Sequence, residues 1–134
     1  MGGSDAFSYA VLRLVPRVEW GERVNVGVIV FCRPRAYLGA RTALDERRLA
    51  ALWPELDAGV VRPQLEAIER IAAGDPAAGP IARLDETARF HWLVAPSSTM
   101  VQPSPVHTGI CEDPAAQLDR LFEALVAAPR GATS

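Results

Sequence analysis

The sequence predicts an α+β domain in which a three-stranded N-terminal meander leads an antiparallel sheet and helices pack on one face of that sheet. Two observations predict this class. Strand-like segments with short, turn-rich connections fill the first third of the chain, and segments with helix-capping signals and helical apolar spacing fill much of the rest. A length of 134 residues suits one domain, so we expect a single domain over residues 1–134, with an ordered core at about 6–128 and frayed termini.

Three apolar segments predict the strands of the meander, at residues 6–17, 22–32 and 38–44. The middle segment is the strongest strand signal. Every second residue from Val24 to Val30 is a valine, which places four valines on one face, while Ile29 and Phe31 lie on the other. A strand that is apolar on both faces is typical of the centre of a sheet. The second face of the sheet therefore needs a cover, which we expect to be either the segment 90–111 or a second copy of the chain in a homodimer.

Two helices are predicted directly after the meander. Asp45 is placed to cap a helix that Pro54 ends. Asp57 opens a segment with helical apolar spacing, in which Pro63 allows two interpretations. Either the helix begins near Asp57 and holds Pro63 in its interior, or the regular helix begins close to Pro63.

The second half of the chain contains a loop and two further helices. Residues 72–80 form a loop by composition, and residues 85–93 form a short helix. Asp113 followed by Pro114 is typical of a helix start, and the apolar spacing that follows ends before Pro129 and Gly131.

Composition excludes several classes of function. All 14 basic residues are arginines, so a lysine Schiff base, a lysine general base and a P-loop lysine are absent. Residues 1–48 carry eight arginines against five acidic residues, net +3, and the remainder carries six against eleven, net −5, so nucleic-acid binding is not favoured. We find no secretory signal and no membrane segment, and predict a cytoplasmic protein that does not bind membranes.

The candidate metal ligands do not form a known motif. Cys32, His91, His107 and Cys111 could each bind a metal, but the sequence has no Cys-x-x-Cys and no His-Glu-x-x-His. We therefore predict reduced thiols, no metal and no cofactor. A phosphate site at the start of the last helix is also disfavoured, because Glu112 next to Asp113 places negative charge there.

The segment "VQPSPVHTG" (101–109) concentrates polar groups, among which Ser104 and His107 suggest a nucleophile and a base. The G-x-S-x-G elbow is absent, and prolines on both sides of Ser104 favour an extended backbone. We therefore predict no catalytic residue. If the protein were an enzyme, His107 and Ser104 would be the candidates. Gln102, Ser104, His107 and Thr108 remain candidates for binding a ligand or a neighbouring chain.

A cluster of arginines on the sheet is the second candidate site. Hairpin turns at 19–21 and 34–36 would place Arg13 opposite Gly27 and Arg41 opposite Ile29. Arg13, Asn25, Gly27 and Arg41 would then share one face, with a gap over the glycine between two guanidinium groups. Such a pair suits a carboxylate or a phosphate.

Four stretches, "YAVLRLVPR", "GERVNVGVIVFC", "FHWLVAP" and "STMVQPSPVHTG", resemble the family known as domain of unknown function 3037. The resemblance covers about Phe7 to Val126. It implies one compact α+β domain, assigns no catalytic residue, and points to a kinase-like protein as a partner.

These observations favour a small non-catalytic binding or accessory module that recognises a protein partner or a small anionic ligand. Two alternatives stay open. In the first, an enzyme acts on a small anionic substrate, with His107 as general acid or base and Arg13 and Arg41 as anion holders. In the second, the arginine-rich first third serves a nucleic-acid accessory protein. The distance between His107 and the two arginines separates the first alternative from a binding module.

Overall fold

A computed structural model of the chain describes residues 3–16, 23–96 and 99–127. It contains five strands and four α-helices within these ranges. The strands are β1 (Asp5–Leu14), β2 (Val24–Cys32), β3 (Tyr37–Thr42), β4 (Val101–Pro103) and β5 (His107–Cys111). The helices are α1 (Glu46–Leu52), α2 (Ala58–Ala73), α3 (Glu86–Leu93) and α4 (Pro114–Leu125).

All strand pairs are antiparallel, in the order β3-β2-β1, and the free edge of β1 is shared by two short strands. β5 pairs with the first half of β1, and β4 pairs with the second half. The predicted fold class and the three-stranded meander are thereby confirmed. The turn predicted at 19–21 lies outside the described residues, as do the predicted stops at Pro129 and Gly131 and the final residues expected to fray.

One extra residue in β2 sets the register of the meander. Leu12 lies opposite Gly27, whereas the next residue, Arg13, lies opposite Asn25. Val26 is therefore the additional residue of a β-bulge. Because directly paired residues point to the same face of a sheet, Gly27 shares the face of Leu12 while Asn25 shares the face of Arg13.

Helices cover both faces of the sheet. The face that carries α1, α2 and α3, called here the three-helix face, holds the larger core, which includes Leu14 and Ile29 of the sheet. The other face, called the α4 face, holds a smaller core that includes Val28, Val30 and Leu118. The predicted packing of helices on one face holds for α1, α2 and α3, whereas α4 packs on the other face. The cover of the second face is therefore α4 and not the segment 90–111, which contains the end of α3 and extends the sheet through β4 and β5.

Each α-helix begins after an aspartate whose carboxylate accepts a hydrogen bond from a first-turn N–H group; these are Asp45, Asp57, Asp85 and Asp113. α2 begins at Ala58 and holds Pro63 in its interior, so the first of the two interpretations is correct. It ends at Gly74, whose left-handed backbone (φ 74°) favours glycine. Local capping chemistry thus determines where the helices begin.

Candidate binding face

Among the described residues, α4 is the element that covers the α4 face, and it covers only part of the width of that face. α4 packs on β2 and β3, and its buried side chains are Pro114, Leu118 and Phe122. Beside it, the α4 face continues over β1, β4 and β5 as a surface that we call the open strip. The open strip consists of Tyr9, Val11, Arg13, Gln102 and His107. The first four side chains are half-buried and His107 is exposed, so all five are accessible to a ligand.

The centre of the open strip is aromatic and aliphatic. His107 pairs with Tyr9 across the β1–β5 ladder, and their ring centroids lie 5.2 Å apart. Tyr9 also stacks on Phe7 with a centroid separation of 5.9 Å. Sequence reasoning missed Tyr9 and Val11. The sequence did contain a signal for them. Tyr9 lies four residues and Val11 two residues before Arg13, and this spacing puts all three side chains on one face of a strand.

Arg13 lies at one end of the open strip, between Asn25 on β2 and Gln102 on β4. Among the residues that the structure describes, its guanidinium forms no hydrogen bond and no ion pair. The amide group of Gln102 donates a hydrogen bond to the carbonyl of Thr99 at 3.1 Å. Arg13 is therefore available to a carboxylate or a phosphate from outside the domain.

Arg41 has partners within the domain. Its guanidinium pairs with Asp119 at 2.9 Å and lies 4.0 Å from Glu123. It also lies over the ring of Phe122, 4.3 Å from the centroid. Asn25 is likewise engaged, because its side-chain amide donates to the carbonyl of Leu125 at 3.0 Å. Both side chains fix α4 to the sheet.

The predicted arginine pair is only partly realised. Arg13, Asn25 and Arg41 do share the α4 face, but Gly27 lies on the opposite face, and Arg41 pairs with Val28 rather than Ile29. The predicted register of Arg41 was wrong by one residue. Arg13 pairs with Asn25, two residues from the predicted Gly27, because the bulge at Val26 adds one residue to a shift of one residue, and this restores the common face. β2 separates the two arginine-bearing strands by about 10 Å, so no gap between two guanidinium groups forms over Gly27.

His107 is remote from both arginines along the sheet. Its partner on β1 is Tyr9, four residues before Arg13, which corresponds to about 13 Å along a strand. Arg41 is farther across, on β3, the opposite edge strand of the sheet. The enzyme alternative required His107 beside an arginine, and this arrangement gives it no support.

Ser104 has a structural role in the loop between β4 and β5. Its hydroxyl accepts a hydrogen bond from the Val11 N–H at 2.9 Å and donates one to the carbonyl of Pro105 at 2.9 Å. Its own N–H donates to the carbonyl of Val11 at 2.7 Å, and the residue is buried. The hydroxyl of Ser104 therefore continues the ladder of β1.

Thr108 points away from the open strip, since it pairs with Ser8 on the three-helix face.

Replacing Ser104 with alanine is expected to lower the free energy of unfolding by about 1–2 kcal/mol, because it leaves the partly buried Val11 N–H without its acceptor. Urea unfolding followed by circular dichroism measures the change. Thr108→Ala is the matched control, because that hydroxyl is exposed and should change stability by less than about 0.5 kcal/mol. Equal effects of the two variants would contradict the structural role of Ser104.

The four candidate metal ligands do not come together in one group. Cys32 and Cys111 are buried in the core of the α4 face, whereas His91 lies on α3. Burial raises the pKa of Cys111, and the neighbouring Cys32 raises it further through its charge and a hydrogen bond. Residues 3–16, 23–96 and 99–127 contain no group of three or more His, Cys, Asp or Glu side chains suited to a metal.

A cleft of about 520 Å³ lies on the three-helix face, between α2, α3 and β4. Trp92, which is 50% exposed, forms part of its wall, and Leu12 lies within it. None of the described residues that line it is charged. The cleft therefore offers no counter-ion for an anionic ligand, and Arg13 of the open strip remains the better candidate.

In the described part of the chain, no helix is both long enough and apolar enough to cross a membrane. Comparison with curated proteins and with solved structures gave no match. The model of one family, described as "Protein of unknown function (DUF3037)", matches residues 9–126. This match spans β1 to the end of α4, including every residue of the open strip. The chain therefore belongs to the DUF3037 family of proteins of unknown function.

Proposed function

We propose that this protein is a non-catalytic interaction module whose open strip binds an acidic segment of a partner protein. The observation that carries the proposal is the combination, on a part of a sheet face that no described helix covers, of an aromatic and aliphatic centre with an arginine that has no hydrogen-bond or ion-pair partner among the described residues. Protein interfaces are enriched in tyrosine and arginine, and their buried centres are surrounded by polar residues. In the open strip Tyr9 and Val11 would form the centre, with Arg13, Gln102 and His107 around them.

An acidic partner is favoured by the charges around Arg13. Other arginines of the domain already pair with carboxylates, as Arg35 does with Asp5 and Arg41 with Asp119. Arg13 has no such partner among the described residues, and its neighbours in the ladder, Asn25 and Gln102, are uncharged. A carboxylate placed there would form a charge-assisted hydrogen bond without displacing a resident acid. The partner's remaining contacts would be apolar, on Tyr9 and Val11.

The positions of His107 and Ser104 favour binding over catalysis. The Ser104 hydroxyl is engaged with two backbone groups, and His107 lies about 13 Å along the strand from Arg13. The alternative that the protein is an enzyme can be tested directly. Turnover of a generic ester or phosphate substrate by the purified protein, abolished in His107→Ala, would overturn the non-catalytic proposal.

Photo-crosslinking from Tyr9 tests the proposed surface. Tyr9 is replaced by p-benzoyl-phenylalanine in the full chain, and adducts formed in cells of the source organism are identified by mass spectrometry. We expect one main partner, crosslinked through a segment rich in aspartate and glutamate. Because Arg13 should hold that segment, Arg13→Glu should reduce the adduct about tenfold or more, which corresponds to about 1.4 kcal/mol of lost binding.

Two matched controls accompany this experiment. The same photo-reactive residue at Trp92, an aromatic position that is 50% exposed on the other face, should not give the adduct. Arg83→Glu reverses the charge of an exposed arginine outside the open strip and should leave the Tyr9 adduct unchanged. An adduct of equal yield from Trp92, or one that is insensitive to Arg13→Glu, would overturn the proposal.

A further inference from the structure

The outer edge of β5 is open in the described part of the chain. β5 pairs with β1 on one side, and no other described strand pairs with it. The opposite edge of the sheet, β3, is flanked by α2 and α4, and the outward N–H of Thr42 donates to the carboxylate of Glu69 at 2.8 Å. The two edges of the sheet therefore differ, because only the β3 edge is flanked by helices and has its outward donor paired.

The backbone pattern identifies which groups of β5 face outward. Val11 exchanges hydrogen bonds with Ser104, so the odd-numbered residues of β1 direct their N–H and C=O groups toward β4 and β5. Their partners on β5, which include His107 and Gly109, bond inward to β1. The N–H and C=O groups of Thr108 and Ile110 consequently point away from β1.

The side chains at this edge are apolar and exposed. Ile110 is 67% exposed, and Val106, just before β5, is 43% exposed. An exposed strand edge with free donors and acceptors is a template for another strand, and native proteins usually protect such edges with charge, proline or a covering segment. Within β5 itself, neither a proline nor an acidic residue is present, and Ile110 is directed to solvent.

We propose that β5 is a homodimer interface, at which β5 of a second copy of this chain adds antiparallel to it and joins the two sheets. Full overlap of two five-residue strands places the two-fold axis at Gly109, the middle residue. Thr108 then forms a hydrogen-bonded pair with Ile110 of the second copy, and Ile110 pairs with Thr108. The four outward-facing residues of the two strands all gain backbone partners.

Three features of β5 favour a second copy over an unrelated strand. On the three-helix face, Ile110 of each copy becomes the diagonal neighbour of Ile110 and Val106 of the other, which buries four apolar side chains together. At the axis, Gly109 faces Gly109 at a non-hydrogen-bonded pair, where the backbones approach most closely. At the ends, the antiparallel arrangement brings His107 of one copy toward Glu112 and Asp113 of the other, where the imidazole N–H can donate a hydrogen bond to a carboxylate.

Sedimentation velocity of the full chain over a wide range of concentrations tests this interface, together with hydrogen exchange of individual amides measured by NMR. We expect a monomer–dimer equilibrium in which the amides of Thr108 and Ile110 become protected as the dimer forms. Ile110→Arg places a charge in the apolar row and should weaken dimerisation about tenfold or more. Thr108→Pro removes an outward donor and should also weaken it.

Leu52→Arg is the matched control, since Leu52 is 47% exposed on α1, outside β5, and should leave the dimer unchanged. Thermal unfolding of each variant verifies that its monomer is folded. A monomer at every concentration, or a dimer without protection of Thr108 and Ile110, would overturn the interface. The result is independent of the proposed function, because Arg13→Glu should reduce the Tyr9 crosslink without affecting the dimer, and Ile110→Arg should do the reverse.

Discussion

Replacing Phe122 with alanine is expected to lower the free energy of unfolding by about 3–5 kcal/mol. Phe122 is 5% exposed, lies one turn after Leu118 on the buried side of α4, and is covered by the guanidinium of Arg41. Alanine would remove the apolar area and leave a cavity between α4 and the sheet, and it would also remove the cation–π contact. Chemical denaturation followed by circular dichroism measures the loss.

The same variant is expected to expose the two thiols. Cys32 and Cys111 belong to the core beneath α4, where burial shields both thiols from solvent and also raises the pKa of Cys111, which disfavours its reactive thiolate form. Loosening α4 should therefore speed the reaction of the thiols with Ellman's reagent at constant pH. Leu52→Ala is the control for stability and thiol reactivity, because Leu52 is 47% exposed and lies on α1. Wild-type stability of Phe122→Ala, with unchanged thiol reactivity, would contradict the role given to α4.

Replacing Gly27 with valine is expected to cost about 3 kcal/mol of folding free energy. A Cβ atom at Gly27 would lie 2.9 Å from Leu12 Cδ1, 2.9 Å from Thr42 Cγ2 and 3.0 Å from the carbonyl oxygen of Arg41. The backbone carbonyl belongs to the neighbouring strand and cannot move without disturbing the β2–β3 ladder. Valine would add two methyl groups to this contact, next to the bulge that sets the register.

A graded series tests this explanation. Gly27→Ala should cost less than Gly27→Val, and Leu12→Ala should reduce the additional cost of Gly27→Ala, because it removes one of the three contacts. The free energies of unfolding of the single and double variants give the coupling between the two sites. Stability of Gly27→Val within about 0.5 kcal/mol of wild type would show that the packing at the bulge is not tight.

Much of the fold could be predicted because its causes are local. Three of the four aspartate caps, Asp45, Asp57 and Asp113, lie where the sequence signals placed them, and the alternation in β2 identified the central strand. The strands β4 and β5 were harder to predict from the sequence. They are three and five residues long, and such short strands without a clear alternation of apolar and polar residues give little periodic signal. The predictions that failed concern neighbours in space.

The candidate site shows the same division. Arg13, Gln102 and His107 were identified from residue type, and all three lie on the open strip. Gly27 was assigned to the wrong face because the register was predicted from the lengths of the turns, which do not reveal the bulge at Val26. One inserted residue changes which side chains share a face. Arg41 was taken as a ligand-binding group because its partners on α4 are 78 and 82 residues away in the chain.

The sequence by itself determined the three strands of the meander, the presence of four helices, the central position of β2 and the family, because capping, periodicity and motif order are properties of neighbouring residues. Only the tertiary structure decided that α4 covers β2 and β3, that Arg41 is paired and Arg13 has no partner among the described residues, and that no described strand pairs with the outer edge of β5. Those outcomes depend on register and on the placement of a helix across the sheet. The strand register and the helix placement are fixed by contacts between residues far apart in the chain. The sequence of one segment alone does not reveal these contacts.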